Sequence, residues 1–254
     1  WMEFLELAQY FTYEMIKEQN EGKTDSTPDP AMIDMFNAMV DEMFDYGRFI
    51  LKEKRKNPAN DLLSAIANAE INGEKLSDEF LDGSWLLIIF AGNDTTRNTM
   101  SGGIKLLHEN QKQKEMLIDN LELLPNFINE TVRCVSPVIH MRRTSLEETE
   151  INGQKIGPYE KIALWYGAAN RDPDVFEDPD KFNILRDNAD KHLAFGIGRH
   201  TCIGKPVALM QLREFYSQFL TRFQDFEMNG DWKVAPNNFV HAIQEMPIKF
   251  SPSK

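Results

Sequence analysis

The sequence predicts a mainly α-helical protein with small β-sheets, of the α+β class. Three observations lead there. Apolar residues recur at helical spacing through the first half of the 254 residues. From Arg142 to Tyr166 the pattern turns to alternation, broken at Asn152-Gly153 and Gly157-Pro158, which predicts β-hairpins. A further helical stretch follows Cys202, and the chain closes in short alternating segments up to Phe250. With 42% hydrophobic and 27% charged residues, the chain can bury a sizeable core.

Residues 2–19 read as a first helix, ended by the polar stretch NEGKTDSTPDP. In Ala31 to Arg55 the spacing of Met32, Phe36, Met39, Val40 and Met43 predicts one buried helix face. Those methionines are read as adaptable packing rather than as metal ligands. Asn57 to Glu70 gives a shorter helix and INGEK a turn. A long helix is predicted from about Ser77 to about Asn110, with Ser77 as N-cap and Asp78 and Glu79 at the positive end of the dipole. It is apolar nearly all round at WLLIIFA, Trp85 to Ala91, which predicts a central, buried element. Gly92, Thr95 and Thr96 are poor helix formers in its middle. LLPNFINETVRCV is a helix ending near Ser136-Pro137. From Gly167 to Phe195 periodic apolar residues are sparse, and a long ordered loop is expected.

A formal charge of -12 argues against nonspecific nucleic-acid binding. Two cysteines, Cys134 and Cys202, give no disulfide framework and point to the reducing cytoplasm. Trp85 to Ala91 is too short to span a bilayer, and no signal peptide is visible. The chain starts at Trp1, so a truncated sequence is expected.

The stretch FGIGRHTCIG, Phe195 to Gly204, concentrates the chemistry. Cys202 lies at the mouth of a helix with Pro206 near its first turn, where exposed N–H groups favour a thiolate. Gly198 and Gly204 would let backbone amides approach the sulfur, and Phe195 would shield it. For the cysteine alone, a structural thiol in a glycine turn is the favoured reading; the whole segment favours a metal-ligating thiolate. His108, His140, His192 and His241 show no metal spacing and read as loop or core residues. Cys134 reads as a packing residue.

FGIGRHTCIG resembles the haem-binding loop of the cytochrome P450 family, F-G-x-G-x-[HR]-x-C-x-G, at every defining position. AGNDTT, Ala91 to Thr96, resembles that family's oxygen-activating central helix, and ETVR, Glu130 to Arg133, its E-x-x-R pair. The last motif carries weight only from its place between the other two, because such i,i+3 pairs are common. The resemblance runs from about Leu81 to Ile248. It implies the C-terminal part of the family's fold, a single partial domain with the long central helix over haem. Residues 1–76 would form helices over the substrate channel and 77–110 the oxygen-activating helix. Residues 111–136 would carry the E-x-x-R pair, 137–194 hairpins and a long loop, and 195–254 the haem-thiolate loop, its helix and the closing strands.

The resemblance also implies roles. Cys202 would be the axial thiolate of haem b iron. His200 and Arg143 would hold the haem propionates, with Phe195, Gly198, Gly204 and Gly92 shaping the cofactor site. Asp94 and Thr95 would be the acid–alcohol pair, beside a groove opened by Gly92 and a loosened backbone bond. Glu130 and Arg133 would tie their helix to the long loop. The family often completes that tie with an arginine in P-x-R-F; here the segment is PDKF, and Lys181 cannot form the same planar fork.

The implied activity is a haem-thiolate monooxygenase that inserts one atom of O2 into an unactivated C–H bond, with electrons ultimately from NAD(P)H. GNDTTRNTMSGG, HMRRT and NNFVHAIQEMPI look most like bacterial alkane and fatty-acid terminal hydroxylases. NGEKLSDEF and VFEDPDKFNILR resemble sterol and terpene hydroxylases equally well. A non-catalytic haem-thiolate sensor and a nonfunctional fragment are the alternatives. Ile89, Ala91, Val138, Ile139, Phe239 and Val240 would line an apolar substrate pocket. Lys191, Arg199, Lys205 and Arg213 form a basic face that suits a ferredoxin, itself served by a ferredoxin reductase, or else a solvated surface. A monomer is expected.

Overall fold

The computed structural model describes residues 30–252, apart from 236 and 238. The helix predicted over residues 2–19 lies outside the described residues. The chain divides into two compact units, residues 1–93 and 94–254, with the longest helix running across the division.

In the first unit, α1 spans Pro30–Lys56 and α2 spans Leu62–Ala67. The Asp61 carboxylate caps α2 by accepting the Ser64 N–H at 2.8 Å. A two-residue hairpin follows, β1 (Glu70–Ile71) with β2 (Glu74–Lys75), turning on Asn72 and Gly73 at positive φ. The long helix α3, Asp78–Glu109, starts as expected: the Ser77 hydroxyl accepts the Phe80 N–H at 3.2 Å. Leu51, Ala67, Leu81 and Trp85 form this unit's buried cluster. Gly47 is required there, since a Cβ would meet the Trp85 indole at 2.4 Å. The Trp85 Nε1–H donates to the Met43 carbonyl at 3.0 Å.

Two expectations change. Phe36, Met39, Val40 and Met43 are half-buried rather than a sealed face, and Phe49 is exposed. The apolar run on α3 is also not enclosed: Trp85 is buried, but Leu87 is 66% exposed and Ala91 is exposed. The buried cluster of this unit touches only one side of that run, so its all-round apolarity is not matched by all-round cover.

In the second unit the rest of α3 is joined by α4 (Gln111–Asp119), a short 3₁₀ turn (Leu121–Leu123), α5 (Leu124–Val135) and α7 (Lys205–Arg222). Their apolar faces meet in one core, with Leu107, Leu117, Phe127 and Leu212 almost completely buried. Each such side chain stabilises the fold by roughly 1.5–3 kcal/mol. Phe127 sets its ring edge-on to Tyr216 at 4.7 Å.

The strands make small antiparallel pairs in two nested sets. β3 (His140–Thr144) pairs with β6 (Lys161–Trp165), enclosing the hairpin β4 (Thr149–Ile151) with β5 (Gln154–Ile156). That hairpin turns on Asn152 and Gly153, both at positive φ as the sequence requires. Gly157-Pro158 instead makes the turn leading into β6, with Tyr159 at φ 64°. β7 (Asp225–Met228) pairs with β10 (Ile248–Ser251), enclosing β8 (Lys233–Ala235) with β9 (Ala242–Glu245). Between β6 and α7 the chain is the expected ordered loop, opened by one helical turn, α6 (Tyr166–Ala169).

Candidate active site

Cys202 sits in the tight loop just ahead of α7. Its N–H donates to the Phe195 carbonyl at 2.8 Å, and its own carbonyl accepts the Lys205 N–H at 3.2 Å. Gly196 and Gly198 have φ of +69° and +72°, a conformation that favours glycine. At Gly196 a Cβ would also come within 3.2 Å of the His200 carbonyl oxygen. A Cβ at Gly204 would meet the Cys202 Sγ at 3.8 Å, so that residue does lie against the sulfur.

The expected shielding of the sulfur is not found. Cys202 is exposed, and among the described residues no hydrogen bond reaches its Sγ. Phe195 turns into the helical core instead, beside the His192 ring at 5.5 Å and under the Lys205 ammonium at 5.4 Å. The aromatic group thus anchors the loop rather than roofing the thiol. His192 is buried and accepts the Ala194 N–H through Nδ1 at 3.2 Å. Burial, helped by the charge of Lys205, pushes its imidazole down to about 4.

α3 runs unbroken through Gly92, Thr95 and Thr96. Gly92 is exposed, with nothing within 4 Å of an added Cβ. Asp94 is buried, and its carboxylate accepts the Arg97 Nη2–H at 2.6 Å. The Arg97 Nε is buried without an acceptor. Thr95 is half-buried, and its carbonyl accepts the Thr99 hydroxyl at 2.8 Å. The Asn98 amide donates to the Asp94 carbonyl at 2.8 Å, and its side-chain oxygen accepts the Ile243 N–H at 2.7 Å. The Tyr216 hydroxyl of α7 donates to the Thr99 and Met100 carbonyls at 2.9 and 3.0 Å. The helix that follows Cys202 is therefore fastened to the helix carrying Asp94.

Four of the predicted pocket residues are brought together. Val138 bridges Val240, and the Ile139 N–H donates to the Phe239 carbonyl at 2.8 Å. Ile89 instead packs in the Trp85 cluster. Arg143 is half-buried on β3 opposite Ile162, and its guanidinium donates to the Arg142 carbonyl at 2.9 Å. His200 is exposed. Among the described residues neither forms an ion pair, and no hydrogen bond joins Asp94, Arg143, His200 and Cys202 to one another.

Glu130 and Arg133 are both fully buried and face each other through a two-point contact, Nε to Oε2 at 2.7 Å and Nη2 to Oε1 at 2.8 Å. The tie is built from another residue, and Lys181 does not form the fork. Its ammonium is exposed and pairs with Asp178, and only its backbone carbonyl joins the network. Arg186 supplies the second guanidinium. Sequence reading missed it because it stands five residues beyond the PDKF position. Asn170 was missed too: it is buried and links the Ser136 hydroxyl, the Arg133 guanidinium and the Leu193 N–H. Cys134 is half-buried beside this network, and burial pushes its thiol up to about 12.

A mainly helical frame that presents an exposed cysteine from a glycine loop defines a class of protein with a sulfur ligand held out on a fixed backbone. Residues 25–250 match the family model described as Cytochrome P450. Linalool 8-monooxygenase of Pseudomonas putida is 36% identical over 214 residues, which is 84% of this chain and 52% of the relative. Steroid C26-monooxygenase of Mycolicibacterium smegmatis is 37% identical over 224 residues, 87% of this chain and 55% of the relative. The solved structure of cytochrome P450-153 from Novosphingobium aromaticivorans superposes with a TM-score of 0.79 at 35% identity, covering 88% of this chain and 55% of that one. The chain belongs to the cytochrome P450 family, and it spans about half the length of these relatives. Its fold class is theirs, mainly α with small sheets.

The residues present fit an iron porphyrin. Among the described residues no group of three His, Cys, Asp or Glu side chains comes together, so a metal at Cys202 would take its other ligands from a non-protein group. Arg143 and His200 offer positive or hydrogen-bonding groups that no carboxylate engages among the described residues.

Proposed function

We propose that the protein is a haem-thiolate monooxygenase acting on an apolar substrate, with terminal hydroxylation of alkanes or fatty acids as the preferred reaction. The observation that carries this is Cys202, exposed at the tip of a loop whose backbone is fixed by Phe195 and by left-handed glycines. Cys202 would bind the iron of haem b, and Arg143 and His200 its propionates. Bound there, the porphyrin supplies O2 activation and insertion of one oxygen atom into a C–H bond. The protein supplies position, electrostatics and protons. Asp94 holds a carboxylate at a buried point of α3, tied through Arg97 to the half-exposed side of the helix. Thr95 places a hydroxyl in the adjoining position. Together they would pass protons from solvent toward the reacting oxygen.

Val138, Ile139, Phe239 and Val240 would form an apolar wall that orients the substrate and excludes water. Such a wall discriminates weakly between chain lengths, at about 1–3 kcal/mol per methylene. Lys191, Arg199 and Arg213 are exposed and Lys205 half-buried, which suits docking of an acidic ferredoxin that relays electrons from NAD(P)H through its reductase. The names of the linalool and steroid relatives favour a second substrate class, sterols or terpenes.

The test is the carbon-monoxide difference spectrum of the reduced, full-length protein. A thiolate-type band that disappears in Cys202→Ser is expected; a band unaltered by that change, or a protein that takes up no porphyrin, overturns the reading. Spin-shift titrations with an alkane, a fatty acid, a sterol and a terpene then decide the substrate class.

A further inference from the structure

The second unit holds a cavity of about 260 Å³ that the proposed chemistry does not use. It lies between the C-terminal half of α3, the end of α5 and the β8–β9 hairpin. Its floor is apolar, with Leu106, Val135, Val234 and Ile243 among its lining. Trp232 forms a wall, and the Lys105 ammonium sits 4.3 Å from the centre of that ring. Arg171 also lines the cavity, 41% exposed, with Asp180 at 3.5 Å as its carboxylate partner. Lys105 pairs with Glu109, itself 47% exposed. The Arg171 guanidinium also donates to the Cys134 carbonyl at 2.8 Å and the Gly167 carbonyl at 3.3 Å, which hold it at the cavity, while its ion pair with the exposed Asp180 is worth little and leaves it open to a better-placed anion.

An apolar floor with cations at its rim matches a ligand with an apolar body and an anionic head. At about 30 Å³ for each water-sized group, the volume holds roughly nine of them. A sterol or a long acyl chain would therefore not be enclosed by it. We propose that this cavity is an accessory binding site for a small amphipathic carboxylate, its chain on Leu106, Val135 and Ile243 and its head between Lys105 and Arg171. The site adjoins the machinery of α3. Asn98 lines the cavity while bonding both the Ile243 N–H and the Asp94 carbonyl, so an occupant rests against the turn that carries Asp94.

The test uses the full-length protein, with octanoate and its neutral isostere octanamide as probes, followed by calorimetry and by tryptophan fluorescence. Octanoate should bind with Kd on the order of 1 mM or tighter, and the fluorescence response should vanish in Trp232→Phe. Octanamide should bind at least about tenfold more weakly, one rim charge being worth about 1.4 kcal/mol. Lys105→Gln should weaken octanoate by a similar factor, and Val234→Phe, which fills the cavity, should abolish this site. Neither variant should move the midpoint of a haem spin-shift titration, which reads any binding of octanoate beside the iron. Equal affinity for amide and acid, or an isotherm unaltered by Val234→Phe, overturns the proposal whatever the haem experiments give.

Discussion

The Arg186 Nε lies 3.1 Å from the Glu130 Oε2, inside a cluster where both side chains are almost fully buried. Glu130 therefore faces two guanidinium groups, that of Arg133 from its own helix and that of Arg186 from the loop before Cys202. The Asn183 N–H also donates to its Oε1 at 2.9 Å. Removing Arg186 leaves Glu130 with Arg133 alone and takes the donor from the Glu177 and Asp178 carbonyls, at a cost of about 1–3 kcal/mol for each buried acceptor left unsatisfied. Arg186→Ala should lower the urea midpoint of the full-length protein accordingly. Lys181→Ala, at the position the sequence motif points to, should change stability by no more than about 0.5 kcal/mol. Equal losses in the two variants would return the role to Lys181.

What was legible in the sequence was whatever depends on local pattern. The start of α3 at Ser77, the Asn152-Gly153 turn and the E-x-x-R pairing on α5 follow from residue type and spacing alone. Arg186, Asn170 and Tyr216 were not legible as partners, because their contacts to Glu130, to Ser136, Arg133 and Leu193, and to Thr99 cross 23 or more residues and no local signal marks them. The orientation of Phe195 failed for a related reason. An aromatic next to a glycine loop can roof the thiol or dive into the core, and the choice belongs to a core assembled from helices distant in sequence.

α3 and α7 approach closely at Gly103. A Cβ there would come within 2.0 Å of the Tyr216 hydroxyl and 2.9 Å of the Thr131 Cγ2. Neither neighbour can withdraw easily, since Tyr216 is fully buried and bonded to the Thr99 and Met100 carbonyls. Gly103→Ala should therefore destabilise the protein by about 1–3 kcal/mol through overpacking. Tyr216→Phe removes only a hydroxyl whose acceptors belong to a helix, so its loss should stay near 1 kcal/mol. Urea unfolding of the two variants checks the order. Gly103→Ala as stable as the parent would mean that the helices are not held at this distance.

His192 ties stability to acidity. Its imidazole ionises near the ordinary 6.5 when unfolded but is held down to about 4 in the fold. Between those values the unfolded chain binds the proton and the folded chain does not. Stability is therefore fully present above about pH 6.5 and falls as the pH drops toward 4. The span allows a loss of about 3 kcal/mol from this one residue. Unfolding midpoints measured at pH 7, 5.5 and 4.5, in the parent and in His192→Gln, should show a shallower acid slope in the variant. An identical slope in both would place the acid sensitivity elsewhere.

Thr95→Ala tests the proton route. The hydroxyl belongs to the residue directly after Asp94, whose buried carboxylate reaches solvent through Arg97. On the proposed function, Thr95 is needed where a proton must arrive at one oxygen atom and not the other. Without it, oxygen and reductant should still be consumed, but product formed per O2 should fall and hydrogen peroxide should rise to match. Asp94→Asn keeps the shape and removes the acid, so it should slow turnover itself, by a factor on the order of 10². The two variants are thus expected to differ in kind: one wastes oxygen, the other delays the reaction. Oxygen-electrode and product measurements on the same samples separate these effects. Full coupling in Thr95→Ala, with haem bound and the thiolate band intact, would remove Thr95 from the route while leaving the assignment of Cys202 standing.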